Sequence, residues 1–138
     1  KAGRVANAVM DIGEFLSEAD TSGLKMRSNL PHIGFHAPCT LQHGLKRGGM
    51  VEALLQRLGF SVKTPIDAHL CCGSAGTYSV LQPEISTRLR DNKLEKLDAG
   101  SVDVIATANI GCMLHLQSGT ATEVRHWIEI LDASLEPH

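Results

Sequence analysis

Val102-Asp103-Val104-Ile105-Ala106 is a β-branched run broken by one charged residue, and Asn109-Ile110-Gly111-Cys112 follows just past its end. A run with so little polar alternation reads as a strand covered on both faces, the condition of a parallel sheet between helices. Outward from it, His32-Ile33-Gly34-Phe35-His36 reads as a strand stopped by Ala37-Pro38, immediately before Cys39. Phe60 to Thr64 reads as a strand ended by Pro65, and Glu123 to His126 as a short last strand. Between them lie helical periodicities. Val5, Val9, Ile12 and Leu16, with Phe15, predict one amphipathic helix over residues 2–18, closed by Asp20-Thr21-Ser22-Gly23.

Leu41 to Leu58 is helical in pattern, with Val51, Leu54, Leu55 and Leu58 on one face, a break at Gly48-Gly49 and a stop at Gly59. Pro83-Glu84 opens a long helix carrying Ile85, Leu89, Leu94 and Leu97 toward the core and stopped by Gly100, and Trp127 to Leu135 is the last helix. The order predicts an α/β fold, a small parallel sheet of about four strands flanked by helices. Parallel pairing gathers the loops after the strands along one edge, the usual ligand crevice of open α/β sheets. All four cysteines, Cys39, Cys71, Cys72 and Cys112, fall in those loops.

The chain has 138 residues, one domain's worth, and a formal net charge of −2, which gives no electrostatic reason to expect nucleic acid. No apolar run reaches the roughly 18–20 residues of a membrane span, and the N-terminus lacks the layout of a secretory signal. These features predict a soluble, cytoplasmic protein. The opening Lys1-Ala2-Gly3-Arg4 runs directly into helical periodicity, as in a segment of something longer. Residues 1–30 are expected to form a helix and a connection to an upstream domain, and residues 31–138 the cysteine-bearing domain.

Cys71-Cys72-Gly73-Ser74-Ala75-Gly76 places two thiols side by side. Their Cα atoms are held about 3.8 Å apart by a trans peptide, below the roughly 4.4–6.8 Å of ordinary disulfides, so metal coordination is the better reading. Adjacent thiolates can hold one iron, two irons of one cluster, or zinc. His36, three residues before Cys39, and His115, three residues after Cys112, are candidate imidazole ligands; a hydrogen-bonding role is the alternative for each. His126 would face the same crevice and is read as a loop histidine donating a hydrogen bond. Inert buried cysteines, or dithiol and nucleophilic chemistry at the pair, are the competing readings for the thiols. Gly73-Ser74-Ala75-Gly76 lacks the nucleotide-binding patterns. Arg88, Arg90, Lys93 and Lys96 are expected on a solvated helix face, and Trp127 and Tyr78 in the core.

The pattern formed by Cys39, Cys71-Cys72-Gly73 and Cys112, set in His36-Ala37-Pro38-Cys39-Thr40 and Asn109-Ile110-Gly111-Cys112-Met113-Leu114-His115, resembles the cysteine-rich CCG domain. This domain occurs twice in the B subunit of heterodisulfide reductase and in subunits of flavin-linked dehydrogenases. Within the family the chain is most similar to the last CCG repeat of iron–sulfur subunits serving flavin-linked oxidation of 2-hydroxyacids such as glycolate. Asp11 to Leu16 and His126 to Leu131 extend that likeness over nearly the whole chain.

The resemblance implies an electron-transfer module, not a complete catalyst. Its implied partners are a flavoprotein subunit and upstream ferredoxin-like and CCG domains of the same parent chain. Electrons would pass toward a quinone-linked acceptor, and the complex could associate peripherally with the inner face of the membrane. The implied cofactor is an iron–sulfur cluster of the 4Fe-4S type, held elsewhere in the family by five thiolates. Here His115 stands where the fifth cysteine would be, which makes Cys39, Cys71, Cys72, Cys112 and His115 the implied ligand set. The alternative is structural zinc on three or four of the same residues, in a scaffold or docking domain.

Overall fold

The computed structural model describes residues 2–6 and 8–137. Four strands, β1 (His32–His36), β2 (Ser61–Lys63), β3 (Val104–Thr107) and β4 (Val124–His126), pair in parallel in the order β2-β1-β3-β4. The register sets His36 beside Thr107 and Thr107 beside His126, so the strands end in line. Helices cover both faces, and the predicted α/β architecture stands.

The alternation of side chains along each strand sorts two apolar layers. Ile33 and Phe35 of β1 and Val104 and Ala106 of β3 point to one face, where they join Val51, Leu54 and Leu55 of α3 (Met50–Arg57) and Trp127, Ile130 and Leu131 of α7 (Trp127–Ala133). Ile105 points to the other, toward Leu94 and Leu97 of α5 (Pro83–Leu97) and Cys112 and Leu116 of α6 (Ile110–Gln117). Gly34 lies on this second face against the Leu97 carbonyl and Val102, where a side chain would meet backbone at 3.2 Å. His36, two residues on, therefore also points to the face that carries Cys72 and Cys112.

Several boundaries differ from expectation. The single helix over residues 2–18 is two, α1 (Ala2–Ala6) and α2 (Ile12–Glu18); Asn7, within the predicted span, lies outside the described residues. Asp11 starts α2 afresh through a capping box, its carboxylate accepting from the Gly13 N–H at 2.8 Å while Glu14 accepts from the Asp11 N–H. The predicted apolar stripe faces outward at Val5, Val9, Ile12 and Phe15; Leu16 packs on the core. The segment after Cys39 forms a π-helical turn, Thr40–Gly44, before α3 begins beyond the glycine pair.

Helix α5 stops at Asp98 and not at Gly100. Asp98 takes a left-handed conformation (φ 54°) that aspartate tolerates, with its carboxylate held by Lys63 at 2.6 Å and by the Ser101 hydroxyl. Ile85 and Tyr78 are exposed, against expectation, because the first turn of α5 and the short α4 (Tyr78–Leu81) ride outside the sheet. Trp127 is buried as expected. Among the described residues, no helix is long and apolar enough to cross a membrane.

Candidate metal centre

At the carboxyl edge of β1 and β3 the loops bearing Cys39, Cys71 and Cys72 meet the first turn of α6, which bears Cys112. Pro38 and Cys39, Cys71, Ser74 to Gly76, Asn109, Gly111 and Cys112 line a cleft of about 460 Å³. All four thiols are free, with Cys72 and Cys112 buried, Cys71 half-buried and Cys39 exposed at the mouth.

Local structure holds the sulfurs in place. Asn109 caps α6 by accepting the Cys112 N–H at 3.1 Å, which fixes that cysteine at the helix start. Ser74 Oγ lies 3.2 Å from the Cys72 sulfur and 3.6 Å from the Cys112 sulfur, a hydroxyl between two thiols. The Gly73 N–H donates to the Cys71 sulfur at 3.3 Å. Gly73 itself has φ 92° and carries the loop so close to α5 that a Cβ there would sit 2.4 Å from the Ser86 carbonyl oxygen. Contact this tight explains a glycine after the cysteine pair.

Electrostatics divide the thiols. A hydrogen bond from Cys112 drives the Cys72 pKa well below the ordinary thiol range, helped by the His36 imidazole and Ser74 and opposed by burial. Cys112 moves the other way, first because it keeps the proton of that pair and second because it is buried. Metal binding would displace the protons of both thiols. The Cys39 thiol is raised by partial burial and then by the neighbouring Cys71 sulfur, although the residue as a whole is exposed.

The two candidate histidines part company. The ligating atoms of His36, Cys72 and Cys112 all lie within 4.8 Å of one another, and all three residues are buried. The His36 ring stands near enough to Cys72 to favour its thiolate, yet neither ring nitrogen makes a hydrogen bond of ordinary geometry. His115 instead turns Nε2 onto α5, 3.1 Å from Ser86 Oγ and 3.3 Å from the Ser86 carbonyl oxygen; it is not in that three-residue group. Ser86 Oγ also donates to the Gly73 carbonyl at 2.8 Å, so His115 braces the cysteine loop through Ser86. His126 caps α7 and is engaged in a hydrogen bond, but as the acceptor of the Ile128 N–H on Nδ1 and not as the expected donor.

Lys93 is a correction to the solvated-face reading. It is 3% exposed, and its Nζ donates to the Asp67 carbonyl at 2.7 Å. Burial lowers its pKa, and the sulfurs of Cys72, Cys71 and Cys39 are among the groups that oppose the shift. A helical lysine two positions from exposed neighbours carries no signal in sequence; the position of the Asp67–Cys72 loop decides its burial. Ser74, Ser86 and Thr107 were equally silent, being small polar residues without a spacing signature.

The donor set suits a thiophilic metal. Three atoms within 4.8 Å of one another leave a central point no more than about 2.8 Å from each, so bonds of roughly 2.0–2.3 Å need movements of only about half an ångström. The buried imidazole without a partner is the mark of a ligand group, and further thiols at the mouth can take a second metal atom.

Comparison with known proteins agrees with this geometry. The chain is 48% identical over 136 residues to the glycolate oxidase iron-sulfur subunit of Escherichia coli, covering 99% of this chain and 33% of that protein. It is 27% identical over 125 residues to the probable glycolate oxidase iron-sulfur subunit of Bacillus subtilis, covering 89% of this chain and 28% of the relative. Lactate utilization protein A of Anoxybacillus flavithermus is 26% identical over 141 residues, 96% of this chain and 58% of that protein. The chain thus spans a third or less of the two glycolate oxidase relatives. The cysteine-rich domain family CCG matches residues 33–117, from the second residue of β1 through the end of α6 and so across all four cysteines, and the chain belongs to that family.

Proposed function

We propose that this chain is an iron–sulfur electron-transfer module of a flavin-linked 2-hydroxyacid oxidoreductase, with glycolate as the substrate of the whole complex. The observation that carries the reading is a buried group of His36, Cys72 and Cys112, with Cys112 also lining the cleft that Cys39 and Cys71 line. Two of the relatives are named as iron-sulfur subunits, which supports iron and sulfide as the occupants. In this reading Cys39, Cys71, Cys72 and Cys112 are ligands, and one histidine, His36 or His115, completes the set of a 4Fe-4S-type centre.

A bound cluster would supply one-electron storage at the sheet edge. The protein's own part is to bind and tune. The Cys72 pKa is lowered toward the thiolate, the single Ser74 hydroxyl lies within reach of the Cys72 and Cys112 sulfurs and can donate to one of them, and the Lys93 ammonium places a positive charge beside an anionic site. The half-open mouth at Cys39 gives electrons a short route to a docked partner. That partner would be the flavoprotein subunit, with ferredoxin-like and CCG domains upstream in the same chain, a cytoplasmic setting and a quinone-linked acceptor downstream; the threefold greater length of the first relative leaves room for those domains.

A second reading is structural zinc. His36 with Cys72, Cys112 and either remaining cysteine makes a four-ligand nitrogen–sulfur set of the kind zinc takes. Metal and acid-labile sulfide analysis of anaerobically purified protein, with electron paramagnetic resonance at controlled potential, separates the two. Iron with sulfide and a redox-dependent signal lost in Cys72→Ser is the expected result; stoichiometric zinc without sulfide would replace the electron-transfer reading with the structural one.

A further inference from the structure

We propose that His36, and not His115, is the imidazole ligand of this centre, coordinating beside Cys72 and Cys112; the inference rests on the reading of the cleft as a metal site.

His36 is 1% exposed, and both of its ring nitrogens lack hydrogen-bond partners. A neutral imidazole carries one N–H donor and one lone pair, and leaving such groups buried without partners is unfavourable. A metal between His36, Cys72 and Cys112 would satisfy the ring's lone pair, since their ligating atoms already lie within 4.8 Å of one another. The other ring nitrogen has a waiting neighbour. Thr107, paired with His36 in the β1–β3 register, is fully buried and its Oγ1 is likewise without a partner. Parallel register partners share a face, so Thr107 stands beside the ring as a candidate for the second hydrogen bond that ligating histidines usually make.

His115 has the opposite circumstances. Its Nε2 is engaged by the Ser86 hydroxyl and the Ser86 carbonyl oxygen, so coordination through Nε2 would cost both of those contacts. The strand position of His36 matters as well. His36, at the end of β1, is held by its pairing with Thr107 of β3, whereas His115 rides on α6 with its ring committed to α5.

X-ray absorption at the edge of whichever metal the anaerobically purified chain carries, iron or zinc, tests the inference. The wild type is expected to show a nitrogen scatterer at roughly 2.0–2.1 Å with imidazole outer-shell features, and His115→Ala to retain them. His36→Cys is expected to keep the metal while exchanging that nitrogen for sulfur at roughly 2.3 Å. If the centre is redox-active, its potential falls in this variant, because a thiolate is more anionic than an imidazole. A wild-type spectrum with sulfur scatterers alone, or imidazole features lost in His115→Ala and kept in His36→Cys, overturns the inference. Should His36→Cys fail to fold, His115→Ala alone still decides between the two rings. Zinc without sulfide defeats the electron-transfer reading and leaves the ligand comparison intact; a folded protein that takes up neither metal defeats both.

Discussion

Replacing Gly73 by alanine strikes the point where the cysteine loop touches α5. The added Cβ would meet the Ser86 carbonyl oxygen at 2.4 Å and its carbonyl carbon at 3.1 Å, all backbone that cannot swing aside. Restoring an ordinary contact needs a displacement of about 1 Å, an overpacking strain of about 1–3 kcal/mol. The φ of 92° adds about 1–2 kcal/mol for a side chain in a left-handed conformation. Parting the loop from α5 also stretches the 2.8 Å hydrogen bond from Ser86 Oγ to the Gly73 carbonyl, worth about 1 kcal/mol. Gly73→Ala should therefore lose about 3–6 kcal/mol, a large share of the roughly 5–15 kcal/mol of a typical domain.

Gly76→Ala is the matched control. Gly76 also has positive φ (49°), but nothing lies within 4 Å of the position its Cβ would take, so only the dihedral cost of about 1 kcal/mol applies. Urea unfolding followed by circular dichroism, on metal-free protein, gives both numbers. Equal losses in the two variants, or a Gly73→Ala loss below about 1 kcal/mol, would refute the argument that close approach to Ser86 is what demands this glycine.

Ser86→Ala leaves the Gly73 carbonyl and the His115 ring without their shared partner and should cost about 1–3 kcal/mol by the same unfolding assay, with metal retained at reduced affinity. Lys93→Met removes the ammonium that holds the Asp67 carbonyl; in the metal-loaded protein a redox titration should show a more negative potential, and an unchanged potential would mean that the ammonium does not sense the site. Glu52 is buried with one carboxylate oxygen unpartnered, and burial raises its pKa. Its native state thus binds the proton more tightly than the unfolded chain, so the stability present below the unfolded carboxyl pKa is lost as pH rises through the raised native value. Glu52→Gln should accordingly melt higher than wild type at pH 7, the gap closing in acid; a gap independent of pH would remove burial of the charge as its cause.

Much of the frame was readable from local pattern. The β-branched run before Asn109 and the apolar His32–His36 segment before Pro38 specify buried strands, and Pro83 marks a helix start by chemistry that needs no neighbours. The first helix misled because its apolar residues follow helical spacing while Asp11 and Glu14 form a capping box in their midst. Periodicity reports which residues share a face, not whether anything covers it; Val9, 77% exposed, satisfies the one condition without the other.

The site divides along the same line. Four cysteines after three strands, two of them adjacent and followed by glycine, were determined by the sequence, because parallel topology alone sends the loops to one edge. Which imidazole faces the thiols was not. His36 and His115 stand at the same separation from a cysteine, and spacing cannot tell a ring aimed at a sulfur from one aimed at a serine fifty residues from the first and twenty-nine from the second. The packing of α5 against the sheet decides it, by placing Ser86 under His115 and leaving the His36 ring buried beside Cys72 with no oxygen or nitrogen to bind. Chain pattern selects which atoms arrive at the edge; only the packed interior, where every polar atom must find a partner, decides which of them is left for a metal.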